Sequence, residues 1–177
     1  MKKFLSIILI IITFLIIYFL QSNFFNGFKI LNIKPNLFIV FMMLIGLFLG
    51  KEYGFFWGIA FGMIIDLFIG KNIGVNAISL GTAGFMAGVL ENNLSKESRF
   101  SVMIITIILT FISELVAYIM QVILNSGTLS ILAFFKIMLI EILYNVIVVI
   151  IIYSKFRKFG EYLENILYDR HKIVQYY

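Results

Sequence analysis

Long apolar runs alternate with short polar breaks along the whole chain. Six apolar segments stand out, at about 4–20, 35–50, 54–70, 74–90, 101–124 and 130–153. A helix that crosses a bilayer needs about 20 apolar residues, with a range of about 17–25. The first, fifth and sixth segments reach that length. The second, third and fourth lie near its lower limit and are expected to borrow flanking residues or to tilt inside a bundle. No break exceeds about fourteen residues, which leaves no room for a separate soluble domain. The pattern predicts an all-α integral membrane protein, a six-transmembrane-helix bundle over residues 1–153 followed by a tail over 154–177. In that tail Phe156, Phe159, Leu163, Ile166 and Leu167 recur at helical spacing opposite Lys158, Glu161, Glu164 and Asn165. That spacing predicts an amphipathic helix on the cytoplasmic leaflet, either a basic topology stop or a partner-binding element.

A second pattern lies inside the apolar one. Glycine recurs every fourth residue at Gly46, Gly50, Gly54, Gly58 and Gly62, then at Gly70 and Gly74, and Asp66 fills the missing step. Each glycine costs a helix about 1 kcal/mol relative to alanine, so the repeat needs a use. In lipid the use is close approach of helices. A four-residue step turns a helix by about 400°, so one face carries two or three rungs before drifting away. This predicts a strip of Gly54, Gly58 and Gly62 on the third segment and a shorter one of Gly46 and Gly50 on the second. The fourth segment brings Gly84 and Gly88, with Gly81 nearby. The pairs at 50–54 and 70–74 suit tight reversals. Packing among the chain's own helices and docking of a partner helix both fit these strips.

Charges inside apolar segments are functional candidates by default. Asp66 falls about one turn from the outer end of the third segment, with Lys71 and the amides of the 70–74 turn as local partners. If it only ties that turn, Asp66→Asn should be mild. On the last hairpin, Glu114 and Glu141 lie at similar depth, about 16 Å below the turn at 1.5 Å per residue, and Lys136 about 7 Å shallower. Glu141 shares a face with Asn145, and Glu114 with Thr110, Ala117, Tyr118 and Gln121. These residues predict a buried Glu114–Lys136–Glu141 cluster with a proton on one glutamate. It could serve as a structural clasp, an ion or proton path, or a contact for a partner's polar helix.

Composition places the pattern in lipid. The chain is 62% hydrophobic and 13% charged, against about 45–50% and 25% in soluble domains. Ten basic residues (Lys2, Lys3, Lys51, Lys96, Arg99, Lys155, Arg157, Lys158, Arg170 and Lys172) fall on one side of the six-span arrangement. Three (Lys29, Lys34 and Lys71) fall on the other. The positive-inside rule then puts both termini in the cytoplasm. Lys2 and Lys3 before an apolar run evoke a signal peptide, but no small-x-small cleavage site follows Leu20, so the run is expected to be a retained span. The net charge of +5 is spread over loops and tail rather than gathered with aromatics, which argues against nucleic acid. There is no cysteine and one histidine, His171, so thiolate metal sites and disulfides are excluded. No nucleophile–base set, metal-ligand cluster or phosphate loop is present. Gly74-Val75-Asn76-Ala77 is no nucleotide fingerprint, since no βαβ unit surrounds it. No cofactor, metal or catalytic residue is expected.

The run Lys34-Pro35-Asn36-Leu37, followed by Gly50, Gly54 and Gly58-x-x-x-Gly62-x-x-x-Asp66-x-x-x-Gly70-x-x-x-Gly74, resembles the rod shape-determining protein MreD family. The resemblance covers about 30–90 and makes Pro35 and Asp66 family-motif positions; it does not reach Glu114, Lys136 or Glu141. It implies a non-enzymatic scaffold in the bacterial inner membrane, part of the machinery that elongates the peptidoglycan wall. The implied partners are an MreC-type single-span protein, the actin-like MreB-type filament and the wall glycosyltransferase/transpeptidase complex, with homo-oligomers possible. A rival reading of another class is the substrate-capture subunit of an energy-coupling-factor vitamin transporter, which is also small, six-spanned and glycine-rich. It would need an outward polar pocket, for which the outer loops offer few groups beyond Asn23, Asn26, Lys29, Asn32, Asn72 and Asn76. A membrane-embedded enzyme lacks the polar catalytic cluster it would require.

Overall fold

The structure, a computed structural model, describes residues 2–68, 72–125 and 131–168. It contains α1 (Lys2–Ser22), α2 (Leu37–Leu49), α3 (Lys51–Phe68), α4 (Val75–Leu90), α5 (Arg99–Asn125) and α6 (Ile131–Tyr168), with one 3-10 turn at Phe24–Asn26. Each helix falls on one of the six apolar segments. Gly70 and Lys71, the 126–130 turn and the last nine residues lie outside the described residues.

α1, α5 and α6 are long and apolar enough to cross a membrane. α2 is different. It has 13 residues, about 20 Å at 1.5 Å per residue, against a hydrocarbon thickness of about 30 Å. All its residues are buried, and it touches each of the other five helices. A helix apolar on every face has no side for water and belongs in a core. Its short length is tolerated because protein, not lipid, surrounds its ends, so irregular backbone there can be satisfied. Asn36, just before α2, meets Asn145 of α6, fourteen residues into that helix, or about 21 Å from its start. The second segment therefore forms a short helix enclosed by the other five.

α1 lies at the periphery. Ile10 and Phe14 face inward, while Phe4, Ile11, Leu15 and Phe19 remain exposed. Phe14 stacks on Phe61 of α3 with ring centroids 4.0 Å apart and 3° between planes. Between α1 and α2, Ile30 and Ile33 exchange both backbone hydrogen bonds at 2.9 Å. The two residues they enclose, Leu31 and Asn32, have φ of 52° and 66°, as a two-residue hairpin turn requires.

α6 runs 38 residues without a break, about 57 Å. The stretch 154–168 thus continues the last apolar helix instead of forming a separate one. Its apolar stripe is used on protein rather than on the leaflet: Phe156, Gly160 and Leu163 are buried, and Phe156 meets Phe48 of α2 edge-on with centroids 6.1 Å apart. A side chain at Gly160 would collide with the Phe48 ring, the nearest atom lying 2.3 Å from its Cβ position.

Candidate functional site

The glycines are where two helix backbones meet. A Cβ on Gly54 would lie 2.3 Å from the Gly84 carbonyl oxygen, and one on Gly84 2.2 Å from that of Gly54. Gly58 faces the Leu80 carbonyl at 2.4 Å and Gly62 the Ala77 Cα at 2.4 Å. Gly46 of α2 meets the same Gly84 oxygen at 2.2 Å, and Gly88 abuts Lys51 N at 2.3 Å. So α2, α3 and α4 form one three-helix seam, and the strips on α2 and α3 are filled by α4 of the same chain. In lipid, apolar burial does not drive helices together, and such close packing does. Gly50 and Gly74 do another job. Gly50 is the single residue between α2 and α3 with φ 92°, and Gly74 precedes α4 with φ 100°; both lie in the region that L side chains avoid.

Asp66 is 1% exposed and closes one end of the seam. Its Oδ2 accepts from Gly74 N at 2.9 Å and Ala77 N at 3.1 Å. Its Oδ1 accepts from Asn76 N at 3.1 Å and Asn76 Nδ2 at 2.8 Å. The first amides of a helix have no partners within it, and they carry the positive end of its dipole. Asp66 therefore caps α4 from α3. It occupies a step of the glycine repeat because the neighbouring helix begins opposite that step. Of the expected partners in the 70–74 turn Gly74 N is one, Lys71 lies outside the described residues, and Asn76 and Ala77 supply the other donors.

The start of α2 is held by side chains from three helices. Gln21 of α1 donates through Nε2 to the Pro35 carbonyl at 2.8 Å and accepts from Leu37 N at 3.2 Å. Asn145 of α6 accepts from Asn36 N at 2.7 Å and donates to Thr110 Oγ1 of α5 at 3.1 Å. Asn36 caps its own helix, accepting from Ile39 N at 3.4 Å. Pro35, a motif position, thus contributes a backbone carbonyl to a fixed acceptor set. Lys34 donates to the Gln21 carbonyl at 3.1 Å; burial, and then the charge of Lys29, hold its ammonium below the ordinary lysine range.

Glu114 and Glu141 do come together, beside Asn36. One Glu141 oxygen, Oε1, is buried with no hydrogen-bond partner. Lys136 is not part of the cluster. It stands exposed on α6, where its stem can lie along lipid and its amine reach the interface. The reason is angular: Lys136 is five residues from Glu141, an offset of about 140° on a helix with 3.6 residues per turn. The cluster is a carboxyl pair backed by amides. Above it a cleft of about 310 Å³ opens between α5 and α6, lined by Glu114, Tyr118, Gln121 and Phe134.

The opposite end of α2 is closed in the same manner. Lys96 Nζ lies 3.2 Å from Glu164 Oε2 and 3.2 Å from Glu91 Oε1, and it donates to the Leu47 carbonyl at 3.4 Å. Tyr168 donates to the Leu49 carbonyl at 2.8 Å. The last carbonyls of a helix lack internal partners and favour cations. The sequence pattern gave no sign of this tie, since Lys96, Glu164 and Tyr168 read as ordinary loop and tail residues. The pairing becomes visible only when α6 is seen to continue past residue 153. Among the described residues no group of three or more His, Asp or Glu side chains could hold a metal ion.

Neither a curated protein sequence nor a solved structure matched the chain. The family described as rod shape-determining protein MreD matches residues 1–162, from α1 past the point where α6 meets α2. That span includes the glycine seam, the Asp66 cap and the polar residues around Pro35. The chain therefore belongs to the rod shape-determining protein MreD family.

Proposed function

We propose that the protein is a non-enzymatic scaffold in the inner membrane of the wall-elongation machinery, with six membrane passes and both termini in the cytoplasm. The family match over residues 1–162 carries this reading. The arrangement of polar groups supports it: Asp66, Gln21, Asn145 and Lys96 are occupied in capping helices. An MreC-type single-span helix would pack on this bundle, and the end bearing Lys96, Lys155, Arg157 and Lys158 would face an MreB-type filament. The wall glycosyltransferase/transpeptidase complex would be recruited through that assembly.

Because α4 already fills the glycine strips, the partner helix would dock elsewhere. The exposed apolar face of α1, with Phe4, Ile11, Leu15 and Phe19, is open to it. The test is complementation in a rod-shaped bacterium that lacks its own copy of this protein. Expression should restore rods and co-purify the MreC-type partner. Exchanging Ile11, Leu15 and Phe19 for alanine should lose the partner at unchanged protein level. Restored rods and full pull-down with that triple variant would place the docking face elsewhere, and round cells with wild-type protein at normal level would overturn the scaffold reading. The vitamin-transporter alternative has no support from the family match.

A further inference from the structure

Along α6 the residues change from apolar Val148, Val149 and Ile150 to polar and cationic Ser154, Lys155, Arg157 and Lys158 within about three turns. Tyr153 marks the boundary, as aromatic residues do at a membrane–water interface. Two cavities meet there. A cleft of about 430 Å³ is bordered by Arg99, Arg157, Lys158 and Tyr153. A groove of about 100 Å³ is lined by Met103, Val149 and Ile150 and shares Arg99 and Tyr153 with the cleft. Polar and apolar compartments thus adjoin across one pair of side chains, between α5 and α6, at headgroup level.

We infer that this paired site binds one anionic phospholipid, its phosphate among Arg99, Arg157 and Lys158 and the upper part of an acyl chain along Met103, Val149 and Ile150. Charge supports the assignment. The cleft holds three cations against two carboxylates, Glu97 and Glu161. Glu161 is engaged by Arg157, whose Nε lies 2.6 Å from its Oε1. Arg99 and Lys158 have no carboxylate partner among the described residues. Arg99 instead lies over the Tyr153 ring, 5.3 Å from its centroid, and Tyr153 is fixed by donating to the Glu97 carbonyl. An interfacial cation held at a helix crevice with its counter-charge missing matches a lipid phosphate, since basic pockets between membrane helices bind anionic headgroups. The adjoining groove distinguishes a lipid from a free anion, because only a lipid brings a hydrocarbon chain to fill it.

The test uses full-length protein in detergent, titrated separately with phosphatidylglycerol, phosphatidylcholine and glycerol phosphate. Native mass spectrometry counts bound lipid, and the thermal midpoint reports its effect. Phosphatidylglycerol should bind and raise the midpoint, and the other two should not. Arg99→Gln with Lys158→Gln should weaken phosphatidylglycerol binding about thirty-fold, the factor expected for two basic side chains near an anionic surface. Should that variant fail to fold, Lys158→Gln alone, at an exposed position, should weaken binding about five-fold. Equal binding of the two lipids, or unchanged affinity in the variants, would overturn the proposal. So would glycerol phosphate reproducing the shift, which would make the cleft a site for a free anion.

Discussion

At Asp66 the two carboxylate oxygens divide four N–H donors evenly between them. That count revises the expectation of a mild Asp66→Asn substitution. An asparagine offers one acceptor oxygen and points an NH2 group at donors, so two buried N–H groups are left facing it. Each unsatisfied buried donor costs about 1–3 kcal/mol. Asp66→Asn should therefore lower the yield of folded protein and the thermal midpoint in detergent, although the role is structural; an unchanged midpoint would mean that the cap does not support α4. Glycine positions also separate by what they touch. Gly84→Ala drives a Cβ into the Gly54 backbone at 2.2 Å, whereas Gly27→Ala meets only the Phe24 carbonyl at 3.6 Å. The first should cost about 1–3 kcal/mol or prevent folding, and the second should be neutral, as size-exclusion profiles of the two would record.

Among the elements, α2 depends most on the others. It is too short to cross a bilayer alone, and its N-terminal and C-terminal ends are completed by α1, α6 and the α4–α5 loop. The Lys96–Glu164 pair is the ionic part of that arrangement, with side chains 15% and 8% exposed. Removing one member of a buried pair leaves the other uncompensated. Lys96→Met should destabilise the protein by about 2 kcal/mol, less than for a fully enclosed pair because Glu91 remains near solvent. Adding Glu164→Gln should recover part of that loss, since both charges are then gone. Denaturation of the two singles and the double measures the coupling directly; strictly additive effects would show that the pair does not act as a unit. Proteolysis near the end of α6 should quicken in Lys96→Met, because the contact of α6 with α2 loosens.

For the molecule as a whole, orientation is the property that links the fold to its proposed role. The chain contains no cysteine, so single cysteines can be labelled without removing native ones. Lys29→Cys and Lys155→Cys both replace exposed residues, at the hairpin before α2 and at the cationic boundary of α6. An impermeant maleimide should label the first in intact cells and the second only after permeabilisation. The reverse pattern would invert the bundle and move the anionic-lipid site to the other leaflet.

Much of this architecture is written in local pattern. Apolar run length located all six helices, because each residue's preference for lipid or water is additive along a segment. The four-residue glycine step announced close backbone contact, and Asp66 stood out as a carboxylate in apolar surroundings. What pattern could not decide was which surfaces meet. The strips on α2 and α3 are closed by α4, a choice made by three backbones fitting together and invisible in any one of them. Lys136 and the two glutamates lie on the same hairpin, yet helical phase turns the lysine outward and the glutamates inward. The continuation of α6 past residue 153 rests on Phe48, Gly160, Lys96 and Glu164, which are far apart in sequence. The sequence alone determined the elements and their solvent; the tertiary structure decided the partners, because contact depends on depth and phase across helices that local pattern does not compare.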